Sequence, residues 1–290
     1  HPPPHLPPSQ VSTGSLLPTI MQGLVSHATK PDSDPLLEWV LLLVERIVLA
    51  GKLGDALSCV MPSGEADPDQ TVTTDLLVLL NVVTQVVATG DVASAEADVS
   101  AALVDAYTWI YPVAAAAAGG AGDAPHTSRS VVWTRLRREV EQVLLDLVSD
   151  AVASGAYRDT TRLVGDVLPR VLPNLAAAAH APTSRVPPGY KTCLMRLVAN
   201  CAHSRGDVQD AVLALGGIPT LLNQCVIEDT QPTLREWALV AIRNLCDGNA
   251  AVQAAIDDLK VQGVKDSPHL AALGVTAAVT EGGKLHVSKK

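Results

Sequence analysis

Gln231-Pro-Thr-Leu-Arg-Glu-Trp-Ala-Leu-Val-Ala-Ile-Arg-Asn-Leu-Cys-Asp-Gly-Asn249 reads as one helix with both ends marked. Asp229 or Thr230 offers an oxygen to the first unpaired backbone N–H groups, and Pro232, with no N–H to lose, suits the first turn. Asp247-Gly248-Asn249 supplies a stop, because glycine takes the left-handed backbone that closes a helix. Leu234, Ala238, Ala241, Ile242 and Leu245 recur at helical spacing and form one apolar stripe. Trp237, Val240 and Asn244 form a neighbouring stripe. A helix with two useful faces suits a stacked array, where one face packs on neighbouring repeats and the other lines a concave surface.

The same pattern occurs earlier in the chain. Leu194-Met-Arg-Leu-Val-Ala-Asn200-Cys stands beside Ala238-Leu-Val-Ala-Ile-Arg-Asn244-Leu, Val208-Gln209 beside Val252-Gln253, and Val212 beside Ile256. The separation, about 44 residues, is that of armadillo or HEAT units of two or three helices. The fold expected is therefore all-α, an armadillo-like helical-repeat solenoid. Asn200 and Asn244 have two readings. Near a helix end an Asn side chain bonds neighbouring backbone and is architectural; in a concave groove it holds the main chain of an extended peptide.

Outward from this region the chain divides into three parts. Residues 1–15 are Pro-rich and polar, and are expected to be a disordered linker, with an SH3 or WW ligand as the alternative. Residues 16–180 read as degenerate helical repeats: 36–49 after Asp34-Pro35, 52–61, 74–88, 92–110, 129–152, and 159–179. Pro169 and Pro173 should kink or split the last of these. The Ala-, Gly- and Pro-rich stretch 111–128 reads as a flexible insertion. A boundary is expected at 181–189, which holds Pro182, Pro187, Pro188 and Gly189. Residues 190–290 form the last unit, with helices over 191–203, 208–215, 219–226 and 250–259 around the quoted one. Two β-prone runs flank Gly282-Gly283 near the C-terminus and suggest a small hairpin, the alternative being a frayed polar tail.

Composition narrows the function classes. The chain is 48% hydrophobic but only 3% aromatic, without phenylalanine, so its core is built from Leu, Val, Ala and Ile. The net charge of −9 opposes a general nucleic-acid or anionic-membrane surface. The best basic cluster, Arg135, Arg137 and Arg138, is followed at once by Glu139 and Glu141 and reads as a solvated helix face. The apolar run 36–50 contains Glu38, Glu45 and Arg46 and is too short and too charged to span a bilayer. Without an initiator Met, the chain reads as a fragment or a processed gene model.

Five cysteines, Cys59, Cys193, Cys201, Cys225 and Cys246, are odd in number and irregular in spacing, as expected of buried reduced thiols in a cytosolic protein. Cys193, Cys201 and His203 admit a second reading, a Cys–His nucleophile or a metal site. Against it, both cysteines lie on one helix at core-like spacing and no second ligand cluster follows. No phosphate-binding Gly loop, HExxH or GxSxG motif is present. The expected reading is non-enzymatic, with no cofactor. Candidate protein-binding residues are Trp237, Asn244, Asn200, Arg235 and Arg243. Trp237 suits an interface anchor or packing between repeats. Arg235 and Arg243 suit an acidic partner, inter-repeat ion pairs or solvent.

Lys191-Thr-Cys-Leu-Met-Arg-Leu-Val-Ala-Asn-Cys, Gly216-Gly-Ile-Pro-Thr-Leu-Leu-Asn-Gln-Cys and Arg235-Glu-Trp-Ala-Leu-Val-Ala-Ile-Arg-Asn-Leu resemble the C-terminal domain of the ataxin-10 family. The resemblance extends through Ile256-Asp-Asp-Leu to Lys284-Leu-His-Val and covers about residues 190–288. It implies a non-catalytic, cytoplasmic, armadillo-like scaffold that acts through protein partners, is linked to cell survival and cytokinesis, and leaves a homo-oligomer open. Armadillo carriers of basic peptides place Trp four residues before Asn. Here Val240 holds that position and Trp237 lies seven before Asn244, a departure from the pattern on which carriage of basic signals rests.

Overall fold

Helices form where aliphatic residues recur every three or four positions and stop where glycine allows a left-handed turn. The computed structural model describes Gly23 and residues 37–61, 74–89, 96–110, 135–183, 186–259, 272–280 and 285–289. In chain order the helices are α1 (Leu37–Leu49), α2 (Leu53–Val60), α3 (Thr74–Thr89), α4 (Glu96–Ile110) and α5 (Arg135–Ala153). A short turn of helix (Thr160–Arg162) and a π turn (Leu163–Val167) lead into α6 (Leu168–His180). Then follow α7 (Tyr190–Ala202), α8 (Gly206–Ala214), α9 (Gly217–Leu222), α10 (Leu234–Cys246) and α11 (Ala250–Asp257). The expected linker at 1–15 and insertion at 111–128 lie outside the described residues. No described helix is long and apolar enough to cross a membrane.

The all-α expectation holds, and so does the small hairpin. Strands β1 (Val275–Val279) and β2 (Leu285–Lys289) pair antiparallel, with Val275 opposite Lys289 and Val279 opposite Leu285.

One buried cluster runs from Val44 in α1 to Val252 in α11 and continues across the Pro-rich stretch 181–189, where Val186 is itself buried. Helix α7 packs between α5 and α10, so the three form a stack. Leu194, Met195, Leu197 and Val198 of α7 are all fully buried.

The break expected around Pro169 and Pro173 falls one turn earlier. Pro169 has no N–H for the carbonyl of Gly165, and the preceding turn widens so that the Leu168 N–H reaches the carbonyl of Leu163. Pro173 lies inside α6.

The start of α10 needs correction. It begins at Leu234, and neither Asp229 nor Thr230 caps it; Pro232 precedes the helix. Thr233 takes the N-cap position with φ of 60°, a left-handed backbone that a β-branched residue rarely adopts. The reason is that residues 230–232 serve α7 instead. The Gly189 N–H donates to the Thr230 carbonyl (2.9 Å), the Lys191 N–H to Oε1 of buried Gln231 (2.9 Å), and Thr192 Oγ1 to the Pro232 carbonyl (2.8 Å). Gln231 Nε2 also donates to the Pro187 carbonyl (2.8 Å). The segment thus satisfies N–H groups left open at the start of the neighbouring helix.

Gly217 marks a tight approach. A Cβ there would stand 2.9 Å from Val212 Cγ1 and 3.1 Å from both the Val212 carbonyl oxygen and Leu172 Cδ1. Gly217→Ala should cost about 1–3 kcal/mol by overpacking. The check is a lower urea midpoint, with Gly206→Ala, where a Cβ meets nothing within 4 Å, as the neutral control.

Candidate functional site

The stack of α5, α7 and α10 is held in register by a repeated set of polar side chains. Asn244 Nδ2 donates to the Ala199 carbonyl on α7 (2.9 Å), and Asn200 Nδ2 donates to Ser149 on α5, at Oγ (2.9 Å) and at the carbonyl (3.3 Å). Thr192 bonds the Pro232 carbonyl, and Gln142 Nε2 bonds the Pro188 carbonyl (2.8 Å), each reaching the segment that leads into the next helix. The recurrent Val-Gln has a matching role. Gln209 Nε2 donates to the Ala202 carbonyl (3.2 Å) and Gln253 Nε2 to the Cys246 carbonyl (2.7 Å), closing the C-terminal ends of α7 and α10. Gln209 also reaches the carbonyl of Asn244 (2.8 Å).

These contacts set the helices in fixed correspondence. Asp150, Asn200 and Asn244 are equivalent positions, as are Asp146, Arg196 and Val240. Leu144-Leu-Asp-Leu-Val-Ser-Asp150-Ala follows the Leu194 to Cys201 pattern closely, with Asp in place of Asn. That similarity was available in the sequence and would have brought α5 into the repeat.

The candidate residues divide by environment. Asn200 and Asn244 are half-buried, with their amide N–H groups engaged on the preceding helix. Trp237 is half-buried and packs against the core. Arg235 and Arg243 are exposed, and Arg235 Nη2 bonds the adjacent Glu236 (2.9 Å). Sequence reasoning missed Arg196, which pairs with Asp146 (2.7 Å) and Asp150 (3.5 Å) across α5 and α7. It also missed Arg205, whose guanidinium bonds the Asn200, Cys201 and Val152 carbonyls. A shallow groove of about 340 Å³ opens beside the start of α10, with Ile227, Glu228, Asp229 and Arg235 among its lining.

The cysteine site has unfavourable electrostatics for a nucleophile. Burial, and then the Asp146 carboxylate, push the Cys193 thiol up to about 12; burial pushes Cys201 up to about 12 as well. His203 stands exposed just past the end of α7. Among the described residues no group of three His, Cys, Asp or Glu is placed to hold a metal ion.

Residues 190–288 match the model of the family described as the spinocerebellar ataxia type 10 protein domain. Over these residues the chain matches the ataxin-10 family. It is 39% identical over 97 residues to the ataxin-10 homolog of Dictyostelium discoideum, a match covering 33% of this chain and 16% of that protein. Human ataxin-10 is 38% identical over 96 residues, covering 33% of this chain and 20% of the human protein. The ataxin-10 homolog of Saccharomyces cerevisiae is 28% identical over 103 residues, covering 36% and 18%. The match therefore spans a fifth or less of each of these relatives. Within it lie α7 to α11, both repeat asparagines and all but the last residue of the hairpin, so the ataxin-10 segment contains two of the three stacked helices.

Proposed function

We propose that the chain is a non-catalytic protein-interaction scaffold of the ataxin-10 type, acting in the cytoplasm, with cytokinesis and cell survival as the processes the family resemblance implies. The observation that carries this is the side-chain amide ladder. It spends Asn200, Asn244, Gln209 and Gln253 on holding helices in register, which builds a fixed face rather than a reactive pocket. The partners proposed are proteins, since a net charge of −9 opposes polyanions. A second copy of the chain remains one of the outcomes of the test.

Two other readings fare less well. A cysteine nucleophile needs a thiolate, and Cys193 and Cys201 are held protonated at neutral pH. Carriage of basic peptides needs an aromatic residue where Val240 stands, and a free Asn amide where Asn244 already donates to Ala199.

The test joins two measurements. With a thiol reagent at neutral pH, Cys193 and Cys201 should react at least about tenfold more slowly than exposed Cys59. Crosslinking capture in cells should then compare the chain with a Trp237→Ala, Asn244→Ala variant shown by circular dichroism to be folded. Loss of captured partners supports the stacked face as the binding surface. An unchanged partner set removes that face, while stoichiometric metal or one hyper-reactive thiol overturns the non-catalytic reading.

A further inference from the structure

The correspondence among α5, α7 and α10 defines a second stripe, the one that each helix turns toward the repeat after it. Its positions are Glu141, Leu145 and Ser149 on α5, Lys191, Met195 and Ala199 on α7, and Arg235, Leu239 and Arg243 on α10. On the first two helices the stripe is closed. Glu141 is 1% exposed and Lys191 6%, and Leu145, Met195, Ser149 and Ala199 are all at 0%. On α10 the same stripe is open: Leu239 is 55% exposed, and Arg235 and Arg243 are exposed as well.

From this we infer that the outer stripe of α10 docks an acidic amphipathic helix of a partner protein, which takes the place of the next repeat. This rests on the scaffold reading above and names the surface and the partner chemistry. Three observations choose the occupant. The stripe runs along the helix at spacing of four residues, and on α7 the equivalent positions are met by α10 and the segment before it, so a helix fits. On α7 the cation at the first position, Lys191, is met by the Glu228 carboxylate of the following repeat at 2.6 Å; among the described residues the equivalent Arg235 pairs with its neighbour Glu236, at an exposed site. At the third position α5 and α7 carry Ser149 and Ala199, small enough for the incoming Asn to reach their carbonyls. Arg243 fills that space on α10. A further repeat of the same kind would meet a long cation there, whereas a helix carrying a carboxylate opposite it gains a charge-assisted bond. Leu239 between the two arginines supplies the apolar centre, and the exposed Val240 widens it.

The probe is a stapled, alanine-rich helical peptide bearing Leu with Glu four residues before and after it, read by fluorescence anisotropy against the full chain. A second peptide carries Lys in place of both Glu. Saturable binding of the Glu peptide, about tenfold tighter than the Lys peptide, is the expected result. Arg235→Glu with Arg243→Glu should invert that preference, and Leu239→Asp should weaken both peptides. These are surface changes, and circular dichroism confirms the fold. Absence of saturation by about 1 mM, or binding indifferent to the charge reversal, overturns the proposal. So does sedimentation showing self-association that the reversal abolishes, which assigns the stripe to a second copy. Failure of the peptide while capture through the stacked face persists removes this docking site and leaves the scaffold standing; loss of both removes both.

Discussion

A Lys191→Met variant is expected to lose about 2–4 kcal/mol of stability, somewhat below the range for breaking one side of a fully buried ion pair because the Glu228 side chain is 24% exposed. The Lys191 side chain is only 7% exposed, and its Nζ lies 2.6 Å from Glu228 Oε1. The other oxygen, Glu228 Oε2, is buried with no hydrogen-bond partner, so Lys191 carries the main compensation for that charge. Methionine matches the length of the lysine stem and removes only the cation. What remains is a half-buried carboxylate, one oxygen of it out of water, that has lost its cation. The thermal midpoint should fall by about 10 °C, at a few degrees per kcal/mol for a chain of this size. Lys191→Met with Glu228→Gln removes both charges and should recover more than half of the loss. Recovery of less than half would show that the stranded Glu228 charge is not the main source of the loss.

Gln231→Leu is expected to cost about 2 kcal/mol, because the buried Lys191 N–H loses its partner while the Pro187 carbonyl loses one of two bonds and keeps the Tyr190 N–H (3.2 Å). The amide oxygen serves the Lys191 N–H and the amide nitrogen serves the Pro187 carbonyl, and Gln231 is 2% exposed. Leucine keeps the volume and offers neither bond. Gln253→Ala is the comparison. Its bond to the Cys246 carbonyl lies at an exposed site, where water substitutes, so the cost should be about 0.5 kcal/mol. Urea denaturation of the two variants measures the difference, and equal losses would remove burial as the cause.

These residues also show where sequence reading succeeds. The apolar positions of α10 were legible because helical periodicity is local: Leu234, Ala238, Ala241 and Leu245 are all buried, and Ile242 is half-buried. Gly51, Gly216 and Gly248 end or separate helices with φ between 66° and 69°, as their glycine identity suggests. The start of α10 was not legible. Its capping rules are local, but Thr230, Gln231 and Pro232 answer to α7, about forty residues away, and the demand for partners at that helix end overrides the local preference. Asn200 and Asn244 could be seen to repeat, but not which way their amides point. Only the neighbouring helix decides that, since an Asn side chain can serve backbone or ligand equally well.

By itself, the sequence determined the helical class, the repeat around the two asparagines and the likeness to ataxin-10, and offered the hairpin as one of two readings of the C-terminal stretch, all carried by local periodicity and ordered motifs. The tertiary structure alone decided that α5 joins the stack although Asp150 stands at its Asn position, that Cys193 and Cys201 are held protonated, and that the closed stripe of α5 and α7 lies open on α10. Burial and pairing depend on what the chain brings alongside each residue. The same column of positions reads as core on one helix and surface on the next, because among the described residues no helix covers α10 as α7 covers α5 and α10 covers α7.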